Sequence, residues 1–194
     1  MNNWQNRYDS AEKGWIINEP SIIRVTRKLL GHTFIGFVDE TGYEVIPCKY
    51  LRQNKYYFQD DLLEIVGENE KIGFVNKKGI EVIKCQYDKV SEIHDNIICV
   101  SKDEKWGIIS KYGTEIIPLQ YRFLGHMGHG RILAQKFSDF KVGALDYEGK
   151  VIIPFKYYQL GRVTIDKKIE YSMGEGREHG FLDINGNVLE ILPF

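Results

Sequence analysis

Two histidines three residues apart, His126 and His129, stand in the segment Arg122–Arg131, RFLGHMGHGR, among Gly125, Gly128 and Gly130. Imidazoles at that spacing can share a transition metal, but such a site needs further ligands and a fixed geometry. No cysteine or acidic residue lies inside the segment. Its glycines do not follow the G-x-G-x-x-G order and no lysine-serine pair follows them, so a phosphate loop is excluded. The segment reads as a flexible loop placed for binding, with a metal-dependent activity at His126 and His129 as the exceptional alternative. A second set of candidates is the five turns that start at Asp39, Asn76, Ser110, Asp146 and Asp183, each with glycine three residues later. A calcium loop needs several oxygen ligands and a terminal acid at fixed spacing. Here the first residue varies to Asn and Ser and the intervening ones vary freely, so these are turns. The motifs G-x-S-x-G, H-E-x-x-H and C-x-x-C are absent. The expectation is a chain without catalytic residues, metal or cofactor.

Aromatic residues outside regular patterns mark candidate contact positions. Tyr56, Tyr57 and Phe58 are consecutive, and three adjacent side chains cannot share one face of a strand. With Phe123, His126, His129, Tyr158 and Arg162 they form the candidate binding set. Flat rings can stack on sugars, so a carbohydrate or cell-wall ligand is the alternative to a protein partner.

The elements that must position these residues recur. Fifteen-residue copies begin at Gly36, Gly73, Gly107, Gly143 and Gly180, 34 to 37 residues apart; the cleanest, with its lysine-tryptophan lead, is Lys105–Tyr121, KWGIISKYGTEIIPLQY. A fixed period of this length signals a solenoid, propeller or array. Two apolar residues follow each leading glycine, then the turn that ends in Gly42, Gly79, Gly113, Gly149 or Gly186. Asp, Asn or Ser at the first turn position with glycine at the fourth suits a type I turn closing a hairpin. In the second strand Ile46, Cys48 and Tyr50, and their counterparts, alternate onto one face. Pro47, Pro118 and Pro154 cannot donate to a ladder, which predicts a strand end or a sheet edge there. A third apolar run precedes each copy: Ile22–Val25, Leu62–Val66, Ile97–Val100, Arg131–Ala134 and Ile169–Met173. Each repeat is therefore a three-stranded antiparallel meander, too small to stand alone and stabilised by stacking on its neighbours.

This pattern resembles the WG (KWG) repeat family of bacterial β-repeat proteins. Lys105-Trp106-Gly107, the D-x-x-G turns and the I-I-P-x-x-Y strand carry the resemblance, which extends from about Ser21 to the C-terminus. Only Trp106 supplies the family's tryptophan; Ile35, Ile72, Val142 and His179 stand in its column, which points to packing at that position. The resemblance implies a β-repeat scaffold that mediates interactions and implies no catalytic residues. The expected architecture is all-β: five tandem three-stranded meanders in an open, twisted, solenoid-like array, or alternatively a five-bladed propeller-like ring. Glu190, in a column of isoleucines, suits an outward-facing end and so the open array.

A formal charge of −1, from 26 basic and 27 acidic residues, argues against an extended nucleic-acid footprint. No apolar run reaches membrane-spanning length, and MNNWQNRYDSAEKGW lacks the apolar segment of a secretory signal. A cytoplasmic location is expected. Cys48, Cys85 and Cys99 are too few for a disulfide framework and read as small buried hydrophobes. Residues 1–20 precede the repeats at 21–194. Trp4, Tyr8 and Trp15 give them apolar mass to cap the first repeat, with a short helix at Ser10–Lys13 and a turn at Asn18–Ser21. The function so expected is a non-catalytic protein-binding scaffold; an immunity or inhibitor role falls within that class.

Overall fold

The computed structural model describes residues 4–14, 21–51, 53, 56–174 and 177–192 of the chain; Trp15 and positions 18–20 of the expected turn lie outside them. A 3-10 turn, Trp4–Arg7, is followed by strands β1 (Ser10–Lys13), β2 (Ile23–Leu29), β3 (His32–Val38) and β4 (Glu44–Leu51) of the first sheet. The second holds β5 (Phe58–Gln59), β6 (Leu62–Val66), β7 (Ile72–Asn76) and β8 (Glu81–Tyr87). The third holds β9 (Lys89–Val90), β10 (Ile97–Lys102), β11 (Lys105–Ser110) and β12 (Glu115–Tyr121). The fourth holds β13 (Phe123–Gly128), β14 (Arg131–Gln135), β15 (Val142–Leu145) and β16 (Val151–Tyr157). The fifth holds β17 (Gln159–Leu160), β18 (Lys168–Ser172), β19 (His179–Asp183) and β20 (Val188–Leu192). Each sheet is a meander in chain order. The fold is therefore all-β and built of tandem antiparallel repeats, as the spacing of the glycines predicts.

The repeat columns have direct physical causes. At each tip the first residue turns its side chain back on the loop: Asp146 Oδ1 accepts from Glu148 N at 3.1 Å and Lys150 N at 2.8 Å. Asp39, Asn76 and Asp183 do the same, and Ser110 Oγ accepts from Thr114 N. This is the local side-chain turn that Asx residues favour. The tip glycine has positive φ, between 74° and 86° in all five. The leading glycine answers a different need. A Cβ on Gly107 would lie 2.5 Å from Ile117 O, because β12 bulges toward β11. Trp106 pairs with Tyr121 and Ile108 with Ile117, leaving three residues opposite one. Pro118 sits in that bulge, and β12, like β4 and β16 with Pro47 and Pro154, is an edge strand of its sheet, so the expected edge is found while the strand runs on through the proline.

Three further expectations are corrected. Every sheet has a fourth strand: β5, β9 and β17 are two residues long, β1 four and β13 six, and β9, β13 and β17 begin directly after the turn that follows the buried Tyr87, Tyr121 and Tyr157. Ser10–Lys13 is not a helix: as β1 it pairs with β2, Ser10 opposite Thr26 and Lys13 opposite Ile23, and four residues are too few to sustain a helix nucleus. Arg122–Arg131 is not a flexible loop. Phe123–Gly128 is strand β13, paired with β14, and Leu124 and Met127 are buried.

The chain divides into two packed units, Met1–Val90 with Lys111–Gly113, and Ser91–Ser110 with Thr114–Phe194. In the first, the core lies between facing sheets: Ile35, Phe37, Ile46 and Tyr50 pack on Tyr56, Leu63, Ile65 and Val75. On the other face of the first sheet, Trp4 and Tyr8 cover Ile23, Val25 and Val38. In the second unit, Ile97, Cys99, Ile108 and Ile117 pack on Leu124, Ile132, Ala134 and Leu145. The fourth sheet's other face, with Met127, Ala144 and Ile153, packs on Leu160, Ile169, Tyr171 and Leu182. Each core is thus shared by neighbours in sequence, and burying one such isoleucine stabilises by about 1.5–3 kcal/mol.

Candidate functional site

The hairpin turns that join the first and second strands of successive sheets are equivalent, and in the second unit they carry the polar chemistry. Asp95 and Asn96 have φ of 50° and 65°, and His129 and Gly130 have 51° and 71°. Paired positive φ values identify the turn type whose twist matches that of the strands. His94 closes the first of these turns through mutual backbone hydrogen bonds with Ile97. His126, Met127 and Gly128 lead into the second. The chain after β17 joins them, with Val163 N donating to Met127 O at 2.9 Å. Together with Tyr147, from the tip of the fourth sheet, these residues line a pocket of about 370 Å³.

Arg162, His126 and His129 of the candidate binding set meet in this pocket; His94, Asp95 and Tyr147 are additions. The Asp-Asn pair at 95–96, a strong turn former, was the signal available for the first two. Tyr147 could be found only from the stacking of one sheet's tip on its neighbour. Its hydroxyl donates to Asp95 Oδ2 at 2.7 Å. Burial, then that bond, pushes the Tyr147 hydroxyl above the usual phenol range. Arg162 and His129 are exposed, and their side chains have no partner among the described residues.

His126 is the half-buried centre. Its ring lies 4.5 Å from that of His94, edge to face, and 6.4 Å from that of Tyr147. Ser91 Oγ donates to Glu92 O at 2.8 Å and accepts from Cys99 N at 3.0 Å. Ser91 Oγ lies 3.4 Å from His126 Nε2, within hydrogen-bond reach. Nδ1 is buried and makes no hydrogen bond among the described residues. Burial first, then neighbouring His94, pushes the His126 pKa down to about 4, while Asp95 pulls it the other way.

Cys99 Sγ lies 3.8 Å from His126 Nε2, which has the composition of a nucleophile–base pair. Its electrostatics are the reverse of one. Cys99 is fully buried and its thiol is pushed up to about 12 by burial, whereas a working pair needs a stabilised thiolate beside a charged imidazole. Among the described residues no three His, Cys, Asp or Glu side chains converge as a metal-ligand set.

The remaining candidates lie elsewhere. Tyr56 is a core residue, 5% exposed, with its ring 5.7 Å from that of Phe37 and its hydroxyl accepting from Gln53 N; its burial removes it from any binding surface. Phe58 is half-buried against the same core, and Tyr57 is exposed. Phe123 is exposed with its ring 5.8 Å from Trp106. Tyr158 is 66% exposed, with Lys141 Nζ 5.7 Å from its ring centre. Trp106 is half-buried against the core between the third and fourth sheets.

Among solved structures, BamB from Moraxella catarrhalis is 10% identical, with 95% of this chain and 74% of that chain covered and a TM-score of 0.35. The WD40 β-propeller domain of Doa1 is 13% identical, covering 95% of this chain and 68% of that one, with a TM-score of 0.35. PorZ of the type-IX secretion system of Porphyromonas gingivalis is 11% identical over 94% of this chain and 28% of its own, with a TM-score of 0.41. No curated protein matches the sequence. The family model described as WG containing repeat matches residues 72–106 and 106–136. The first match runs from Ile72 to Trp106, that is, between equivalent positions of β7 and β11, so the family's unit and the structural period coincide, and residues 72–136 carry the WG containing repeat.

Proposed function

We propose that the chain is a non-catalytic scaffold that binds a partner protein at the pocket between the third, fourth and fifth sheets of the second unit. The observation that carries this reading is the gathering of His94, Asp95, His126, His129, Tyr147 and Arg162 from separate loops onto one rim. A rigid repeat frame supports recognition loops of this kind. Arg162 and His129 supply exposed donors, Asp95 an oriented acceptor, and Phe123 and Tyr158 exposed rings on the same sheets. The protonated, buried Cys99 and the engaged Ser91 hydroxyl favour binding over nucleophilic chemistry. Arginine and tyrosine are also the residue types that dominate protein-binding energy.

The test is parallel affinity capture from source-cell lysate with wild type, Arg162→Glu and the exposed control Lys84→Glu. A stoichiometric protein retained by wild type and by Lys84→Glu, and reduced at least tenfold by Arg162→Glu, supports the reading. Identical capture by all three proteins overturns it.

A further inference from the structure

Within each unit, successive sheets meet through one repeated contact. The tip glycine of a sheet lies on the start of the outer strand of the sheet before it. A Cβ on Gly79 would overlap Val45 O. One on Gly113 would lie 3.3 Å from Val82 O, one on Gly149 3.2 Å from Ile117 Cγ1, and one on Gly186 3.2 Å from Ile153 Cγ1. Beneath these tips the column Val45, Val82, Ile116 and Ile152 is half-buried, and the next column, Ile46, Ile83, Ile117 and Ile153, is buried.

The two terminal sheets each carry one half of this contact. In the fifth sheet Leu189 stands in the half-buried column and Glu190 in the buried one. Val188, Leu189 and Ile191 are nonetheless 50%, 52% and 57% exposed. In the first sheet the tip glycine, Gly42, rests on the indole of Trp4, where a Cβ would overlap the ring. Arg7 donates to Gly42 O beside it.

We infer that the exposed face of β20 and the tip of the first sheet, Asp39–Gly42, are complementary halves of a head-to-tail contact between two copies of this chain, and that Trp4 acts as the stopper on the head half. The four internal tip contacts establish what covers such a strand face, and the first-sheet tip is the one whose place is held by a single side chain instead of a sheet. A head-to-tail contact that does not close on itself propagates from copy to copy, so the Trp4 segment sets whether the chain stays monomeric. This contact is independent of the pocket and of its partner.

Sedimentation velocity over a range of concentrations tests it. Trp4→Ala strengthens self-association at least tenfold relative to wild type, and Trp4→Ala with Leu189→Asp returns it to the wild-type level. A Trp4→Ala protein that sediments as a monomer throughout overturns the inference, as does a double variant that associates as strongly as the single one. If Trp4→Ala does not fold, differently tagged Thr41→Cys and Val188→Cys proteins, mixed under oxidant, report the same contact. They yield at least fivefold more mixed disulfide than Thr41→Cys mixed with Lys84→Cys; equal yields overturn the inference.

Discussion

His126 shows how one side chain takes its character from packing. A histidine in water titrates near pH 6.5, and a loop position would leave it there. The strand β13 instead places it over Ser91 and Cys99, beside His94, and its pKa falls to about 4. The unfolded chain therefore binds a proton between about pH 6.5 and 4 that the folded chain does not, so stability rises with pH across that window. The contribution is fully present above pH 6.5 and is lost as pH falls toward 4. Because the ring is only half-buried, solvent screening reduces the effect to about 1–2 kcal/mol. Urea unfolding at pH 7 and pH 4.5 should show this loss in wild type and a smaller one in His126→Phe; equal losses would show that other groups set the pH dependence. The sequence marked His126 by its type and its glycine-rich setting. It could not show Ser91 and Cys99 beside it, because those contacts join strands 27 to 35 residues apart.

At the scale of elements, the D-x-x-G tip is the most local structure in the chain and was the most legible. Its hydrogen bonds run only two to four residues, from the backbone of Glu148 and Lys150 to Asp146. Asn at the equivalent position 76 makes the same pair of bonds. Asp146→Asn should accordingly leave thermal stability within about 0.5 kcal/mol, while Asp146→Ala should cost about 1 kcal/mol by releasing two backbone donors. Chemical denaturation of the three proteins decides it: equal losses for Ala and Asn would mean that the carboxylate charge matters more than the turn geometry. The three long strands of each repeat were equally readable, from alternation and β-branched runs. The fourth strands were not. β5, β9 and β17 are two residues long, below the length at which alternation carries information. In β13 Leu124 and Met127 are buried on opposite faces of the fourth sheet, one against the third sheet and one against the fifth, so the strand shows no apolar–polar alternation.

Across the whole molecule, stability in a tandem array is a sum of neighbour contacts, so one column of the repeat should respond differently by position. Ile152 and Leu189 occupy the same column, one on β16 beside the tip that ends in Gly186, the other on the exposed β20. Substituting each by aspartate changes the side chain in a similar way in the same strand type and isolates the effect of the covering tip. Ile152→Asp buries a carboxylate under the Gly186 turn and should destabilise by about 2–3 kcal/mol. Leu189→Asp adds a charge to a solvated edge, a placement that natural sheets use to blunt their edges, and should stay within about 0.5 kcal/mol. Equilibrium urea unfolding at low protein concentration, where self-association is suppressed, measures both. A large loss in both variants would mean that the β20 face is covered in the monomer in solution. A small loss in both would mean that tip stacking adds little and that the sheet-to-sheet cores alone hold the array. The unequal pair is the outcome expected if each sheet is stabilised by the tip stacked on its outer strand, as Ile152 is covered and Leu189 is exposed.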